Sequence, residues 1–288
     1  MRIKSQQIAA LAYFDIFSFP LTRVELDLWA WQGDFVKLPV DSHNGFFYLS
    51  GRNQIALSRR RHYKISYRKI KRALFFTKIF RLLPSVKMVA VCNSLGYFNA
   101  RLDSDIDLFI IVKPGTIWLT RFWLQSLLKI LKARPFDRGK RRDGVCLTFF
   151  LSANQLDIKH LSIVEPDVYL HYWSIQLIPI YDAGGYYEKF IQANDYWIKR
   201  HLPYYLPYYP HQRLKALPSK WSWLFAILTL PWWEKFLRKV QMKILPDKLR
   251  QLAGRDSRVV LTDNILKFHS EDKRLIYYNL WQSKNYQK

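Results

Sequence analysis

The stretch NSLGYFNARLDSDIDLFIIV, Asn93 to Val112, ends in two aspartates, Asp105 and Asp107, set two apart at the mouth of an apolar run. Successive side chains of a strand point to opposite faces, so residues i and i+2 project together. Two carboxylates held side by side repel each other unless a cation sits between them, and hard oxygen ligands of this kind suit Mg²⁺ or Mn²⁺. Upstream, Val89-Ala90-Val91 reads as a short buried strand running into Asn93-Ser94 and a turn or helix start. Free backbone N–H groups at such a junction attract phosphate.

A phosphate cradle followed about ten residues later by an Asp-x-Asp strand resembles the nucleotidyltransferase superfamily typified by DNA polymerase beta. Its signature is Gly-Ser, a short spacer, then Asp-hydrophobic-Asp. Ser94, Asp105 and Asp107 match it, with Ser104 before the first aspartate and an apolar tail after the second. Asn93 stands where the family has glycine, and asparagine enters the left-handed region more readily than other non-glycine residues. The resemblance implies transfer of a nucleoside monophosphate from an NTP to a hydroxyl. Asp105 and Asp107 would bind Mg²⁺ or Mn²⁺, and Asn93, Ser94 and Ser104 would contact the nucleotide.

Members of this superfamily usually add a third carboxylate from a neighbouring strand. The expected strand here is VCLTFFLS, Val145 to Ser152, in which Cys146 best matches that position. Asp143 before the strand and Asp157 beyond it are the acids within reach in sequence. An acid from either beside the Asp105/Asp107 pair would favour the transferase. Cys146 and Thr148 alone would favour the rival reading, a non-catalytic nucleic-acid-binding protein on a degenerate core.

Against 22 acids stand 46 lysines and arginines, giving a net charge of +24, and this excess predicts attraction to polyanions, RNA or DNA above all. The densest cluster, SRRRHYKISYRKIKR from Ser58 to Arg72, interleaves eight basic side chains with His62, Tyr63 and Tyr67. A second cluster runs from Arg138 to Arg142. With 50% hydrophobic residues the chain has material for sizeable cores, which excludes a disordered polycation. Cys92 and Cys146 both fall in expected buried strands, so a reducing, cytoplasmic setting is expected rather than a disulfide framework.

The fold class expected is α+β in three segments. Residues 1–83 would form a winged-helix-like module plus a basic linker helix, with a capping box at Thr22 and Glu25, a hairpin turn at Asn44-Gly45 and a strand over Phe46–Leu49. Residues 84–185 would form the nucleotidyltransferase core, a short mixed sheet with flanking helices. Residues 186–288 would be a helical C-terminal region. Within it, Trp221 to Leu245 carries an aromatic face beside Lys235, Arg238, Lys239 and Lys243. Packing of that face against the core is the expectation, with peripheral membrane contact as the rival. The polar cluster Lys267, His269, Asp272 and Arg274 is noted without a mechanism, His269 being read as a packing residue. Oligomeric state is not specified by the sequence.

Overall fold

A computed structural model describes residues 3–135, 137, 142–269 and 271–286. The greater part of the second basic cluster, residues 138–141, and the side chain of Thr148 lie outside the described residues.

The chain opens with α1 (Ser5–Ile16), β1 (Leu21–Thr22), α2 (Arg23–Leu28), β2 (Val40–His43) and β3 (Phe46–Leu49). Thr22 caps α2 through its hydroxyl, which accepts from Glu25 N, while the Glu25 carboxylate returns to Thr22 N at 2.7 Å. Asn44 and Gly45 both take positive φ, 51° and 80°, the conformation a two-residue hairpin needs. The three strands form an antiparallel sheet in the order β1-β3-β2. The 27-residue helix α3 (Gln54–Phe80) then carries the first basic cluster.

A second, six-stranded mixed sheet follows, in the order β7-β4-β5-β6-β9-β8. Its strands and the helices between them run along the chain as β4 (Val86–Val91), β5 (Ile106–Val112), α4 (Ile117–Ile130), β6 (Val145–Ser152), α5 (Val168–Ile175), β7 (Ile178–Asp182) and α6 (Tyr186–His201). The last segment adds α7 (Pro231–Ile244), α8 (Asp247–Leu252), β8 (Val259–Leu261), β9 (Ile265–Phe268) and α9 (Arg274–Tyr286). β4 is antiparallel to β5, and β5 is parallel to β6.

The period-2 alternation of the strands divides the sheet between two cores. Met88, Ala90, Phe109 and Phe149 face α1, α5, α6 and α9. Val89, Val91, Leu108 and Ile110 face α3 and α4. The first of these cores draws residues from all three segments: Phe14 from the first, Tyr172 from the second, Trp281 from the third. α9 reaches back to the start of the chain, Trp281 donating its ring N–H to Ala9 O at 2.9 Å and Lys284 pairing with Asp15 at 2.6 Å. Asn285 accepts from Val36 N.

Two features differ from expectation. The C-terminal segment is not wholly helical, because β8 and β9 extend the main sheet beyond β6. Thr262 makes their turn, its hydroxyl accepting from Ile265 N at 2.9 Å. The stretch from Trp221 to Leu245 is not one helix packed by its aromatic face. It breaks before Pro231 into a 3₁₀ helix, Ser222–Thr229, and α7. Proline fits the first turn of a helix and cannot continue a preceding one. No residue of that 3₁₀ helix is buried.

Among the described residues no helix is long and apolar enough to cross a membrane.

Candidate metal and nucleotide site

Asp105 sits one residue before β5 and Asp107 is its second residue, both half-buried, while Ile106 between them is fully enclosed. Asp107 lies opposite Cys146 in the parallel β5–β6 pair. Ligand atoms of Asp105, Asp107 and Cys146 all fall within 4.8 Å of one another. A register shift in the ladder follows immediately, between Asp107 and Phe109, and irregularities of this kind re-aim side chains beside functional sites. On the other flank, Cys92 N donates to Asp107 O at 3.2 Å, so the end of β4 is tied to the same residue.

The turn after β4 adopts the conformation the sequence predicts. Asn93 has φ 55°. Its side chain is held from α5, Oδ1 accepting from Trp173 Nε1 at 3.0 Å and from Tyr169 OH at 3.2 Å. Asparagine therefore does what glycine would do for the backbone and also anchors the turn. Gly96, three residues on, packs so close to α5 that a Cβ there would lie 2.5 Å from Gln176 O. Ser94 faces a cavity of about 260 Å³ lined also by Tyr97, Tyr169, Trp173 and Gln176, and the Gln176 Nε2 in its wall has no hydrogen-bond partner among the described residues.

Asn93 and Trp173 are shared with a second cavity, of about 150 Å³, whose wall includes Phe149, Tyr277, Lys267, His269 and Arg274. The polar cluster noted in the sequence thus borders the site. Lys267 lies opposite Phe149 in the β6–β9 pair. Arg274 is saturated by Asp272, Asp167 and the carbonyl of Leu161. Burial, with Arg274 nearby, lowers the Lys267 ammonium to about 8. Burial and the Lys267 charge lower His269 to about 4, leaving its ring neutral. His269 Nδ1 is buried and without a hydrogen-bond partner among the described residues.

Neither candidate third acid joins the aspartate pair. Asp143 is bound by Lys69, whose Nζ lies 2.6 Å from Oδ1, with Arg68 and Arg142 within 3.6 Å and 3.4 Å. Burial works against its charge, but the Lys69 hydrogen bond and these cations hold its carboxyl below the usual range. Asp157 lies beyond the far end of β6, accepting from Tyr196 OH and Lys159 N. The side chain that does stand beside the pair is the half-buried Cys146. Ser104 contributes its backbone, accepting from Lys69 at 2.7 Å, while its hydroxyl donates to Arg101 O. Cys92 is a buried core thiol, pushed well up by burial and by Asp107.

The basic cluster of α3 divides in two. Arg59 is spent on Glu25, Lys69 on Asp143 and the Ser104 carbonyl, and Arg72 on the Asp143 carbonyl. Arg60, Arg61, Lys64 and Lys71 face solvent. Sequence reasoning placed Lys69 among polyanion contacts and missed that it holds the loops leading into β5 and β6. It also missed Tyr169 and Trp173, whose i, i+4 spacing on α5 was the available signal.

No protein-family model matches the chain, and no curated protein or solved structure matches it.

Proposed function

We propose that this protein is a divalent-metal-dependent nucleotidyltransferase built on a polymerase-beta-like core, with a winged-helix-like module at its N-terminus. The observation that carries this reading is the convergence of Asp105, Asp107 and Cys146 within 4.8 Å, next to a turn whose Asn93 takes positive φ. Two carboxylates fit Mg²⁺ or Mn²⁺, and a thiol beside them, when ionised, extends the donor set toward softer divalent ions. The bound metal would neutralise and orient phosphate oxygens. Asp105 and Asp107 would hold it, while the Ser94 hydroxyl and the backbone of its turn donate hydrogen bonds to phosphate. The cavity walled by Trp173, Tyr277 and the neutral His269 offers aromatic faces to the nucleoside. The charge of +24 favours a polyanionic acceptor such as RNA.

One observation favours the second reading, a nucleic-acid-binding protein on a transferase-like core. Asp143 and Asp157 are engaged elsewhere, so a cysteine stands where an attacking hydroxyl would find a base. In that reading Arg60, Arg61, Lys64 and Lys71 track phosphates. α2 does not suit a DNA groove, since Glu25 pairs with Arg59 and Asp27 with Arg23.

The test is label transfer from each α-labelled NTP to total RNA and protein with Mg²⁺ or Mn²⁺, comparing the natural protein with Asp105→Asn/Asp107→Asn. Transfer by the natural protein alone supports the enzyme. No transfer under any condition, with salt-sensitive RNA binding retained by the double variant, overturns it in favour of the second reading.

A further inference from the structure

The face of the molecule formed by the 3₁₀ helix Ser222–Thr229 and α7 presents large apolar side chains to solvent. Trp223 and Ile227 are each 67% exposed, Trp221 65%, Trp232 64% and Phe236 56%, with Leu224 and Leu230 also open. Isolated exposed apolar residues are ordinary, but so many within sixteen residues mark a contact surface.

The segment is fixed in this orientation by polar anchors on its inner side. The Glu234 carboxylate accepts from Trp118 N and Leu119 N, both at 2.9 Å, and so caps the start of α4. Gln241 donates to Trp118 O and accepts from Arg121. Trp123 donates its ring N–H to Leu228 O at 3.0 Å. Glu234, Leu237 and Gln241 face α4, which turns Trp232, Phe236, Lys239 and Lys243 outward, a third to half a turn away.

We infer that this face docks the protein on the surface of an anionic lipid bilayer. Three features select that occupant. From Trp221 to Leu245 the chain carries Lys235, Arg238, Lys239 and Lys243 against the single acid Glu234; that acid is turned inward on α4, Arg238 pairs with Asp263 at 2.8 Å, and Lys235, Lys239 and Lys243 are exposed. Tryptophan with an amphipathic basic helix is the chemistry of the headgroup boundary. Ile227, Leu224 and Leu230 have no ring to stack on a base, which separates the surface from a nucleic-acid platform. A second copy is disfavoured, since each carries +24. The surface is independent of the Asp105/Asp107 site and of the function proposed for it.

The test is vesicle flotation with phosphatidylcholine alone and with roughly three parts in ten phosphatidylglycerol, comparing the natural protein with Trp223→Ser/Ile227→Ser/Trp232→Ser. The variant keeps every charge, so adsorption by charge alone is unaffected by it. Expected are flotation of the natural protein on anionic vesicles, and about tenfold or greater loss of affinity in the variant. Brominated acyl chains should quench the natural protein's tryptophan fluorescence, a readout independent of whether the variant folds. Equal flotation of a folded variant, or no flotation or quenching of the natural protein, overturns the inference. So does a variant impaired only in binding a single-stranded RNA oligonucleotide.

Discussion

Lys69 and Asp143 form a tight ion pair, 2.6 Å between Nζ and Oδ1, with the lysine side chain fully enclosed and the carboxylate 26% exposed. The same ammonium accepts no alternative role, since it also donates to Ser104 O one residue before Asp105. Removing one partner of such a pair leaves a charge uncompensated. Lys69→Met is therefore expected to lower stability by about 2–3 kcal/mol, the partial exposure of Asp143 reducing the full cost. Because the folded Asp143 carboxyl titrates below its unfolded value, its contribution is present above about pH 4 and is lost as pH falls. Urea unfolding at pH 7 and pH 3 should show a smaller difference in the variant; an unchanged difference would remove Lys69 from the account.

On the function proposed, Cys146 would set the metal preference of the Asp105/Asp107 site. Replacing it by aspartate supplies a third hard ligand opposite Asp107, and Cys146→Asp should raise Mg²⁺ affinity about tenfold or more. Cys146→Ser should weaken any preference for Zn²⁺ over Mg²⁺, and Asp105→Asn/Asp107→Asn should abolish binding of both. Titration calorimetry of the purified protein reads all three. Indifference of Mg²⁺ affinity to Cys146→Asp would mean that the side chain does not face the ion.

Two buried histidines make the fold acid-sensitive. His171 is lowered to about 4, chiefly by burial, in a setting that includes Trp31, Trp197 and His201; His269 is lowered to about 4 as well. Their folded values lie below the ordinary histidine range, so the folded protein binds fewer protons than the unfolded chain. Stability is full above about pH 6.5 and falls as pH drops toward 4, by on the order of 2–3 kcal/mol per histidine. His171→Asn/His269→Asn should flatten the unfolding free energy between pH 6.5 and 4.5, and a slope equal to the natural protein's would contradict this.

Trp281 is buried against α1, its ring set near Trp31 and Phe35. Truncating a buried tryptophan leaves a large cavity, and Trp281→Ala is expected to lower stability by about 3–5 kcal/mol. Hydrogen exchange should show the loss first in α1 amides, although the substitution lies at the other end of the chain.

Local signals made much of the fold readable. The β5 strand ends where its apolar run ends, the hairpin follows Asn44-Gly45, and the Thr22/Glu25 box starts α2. Each rests on contacts a few residues apart. What was not legible depended on distant partners. Asp143 looked available as a third acid because its captor, Lys69, lies 74 residues upstream on α3. β8 and β9 looked like part of a helical tail because short strands are defined by the edge they join, here β6. The aromatic face of Trp221 to Leu245 looked like core because hydrophobic side chains usually are buried; Glu234 and Gln241, polar residues, take the inward positions instead.

The bonds from Trp281, Lys284 and Asn285 to Ala9, Asp15 and Val36 carry a consequence for biosynthesis. A chain made from its N-terminus must carry the apolar face of α1 through the synthesis of everything from α2 to α8 before α9 emerges to cover it. A ribosome stalled a few dozen codons short of Tyr286 would hold a nascent chain with that face open, a natural target for chaperones and proteases.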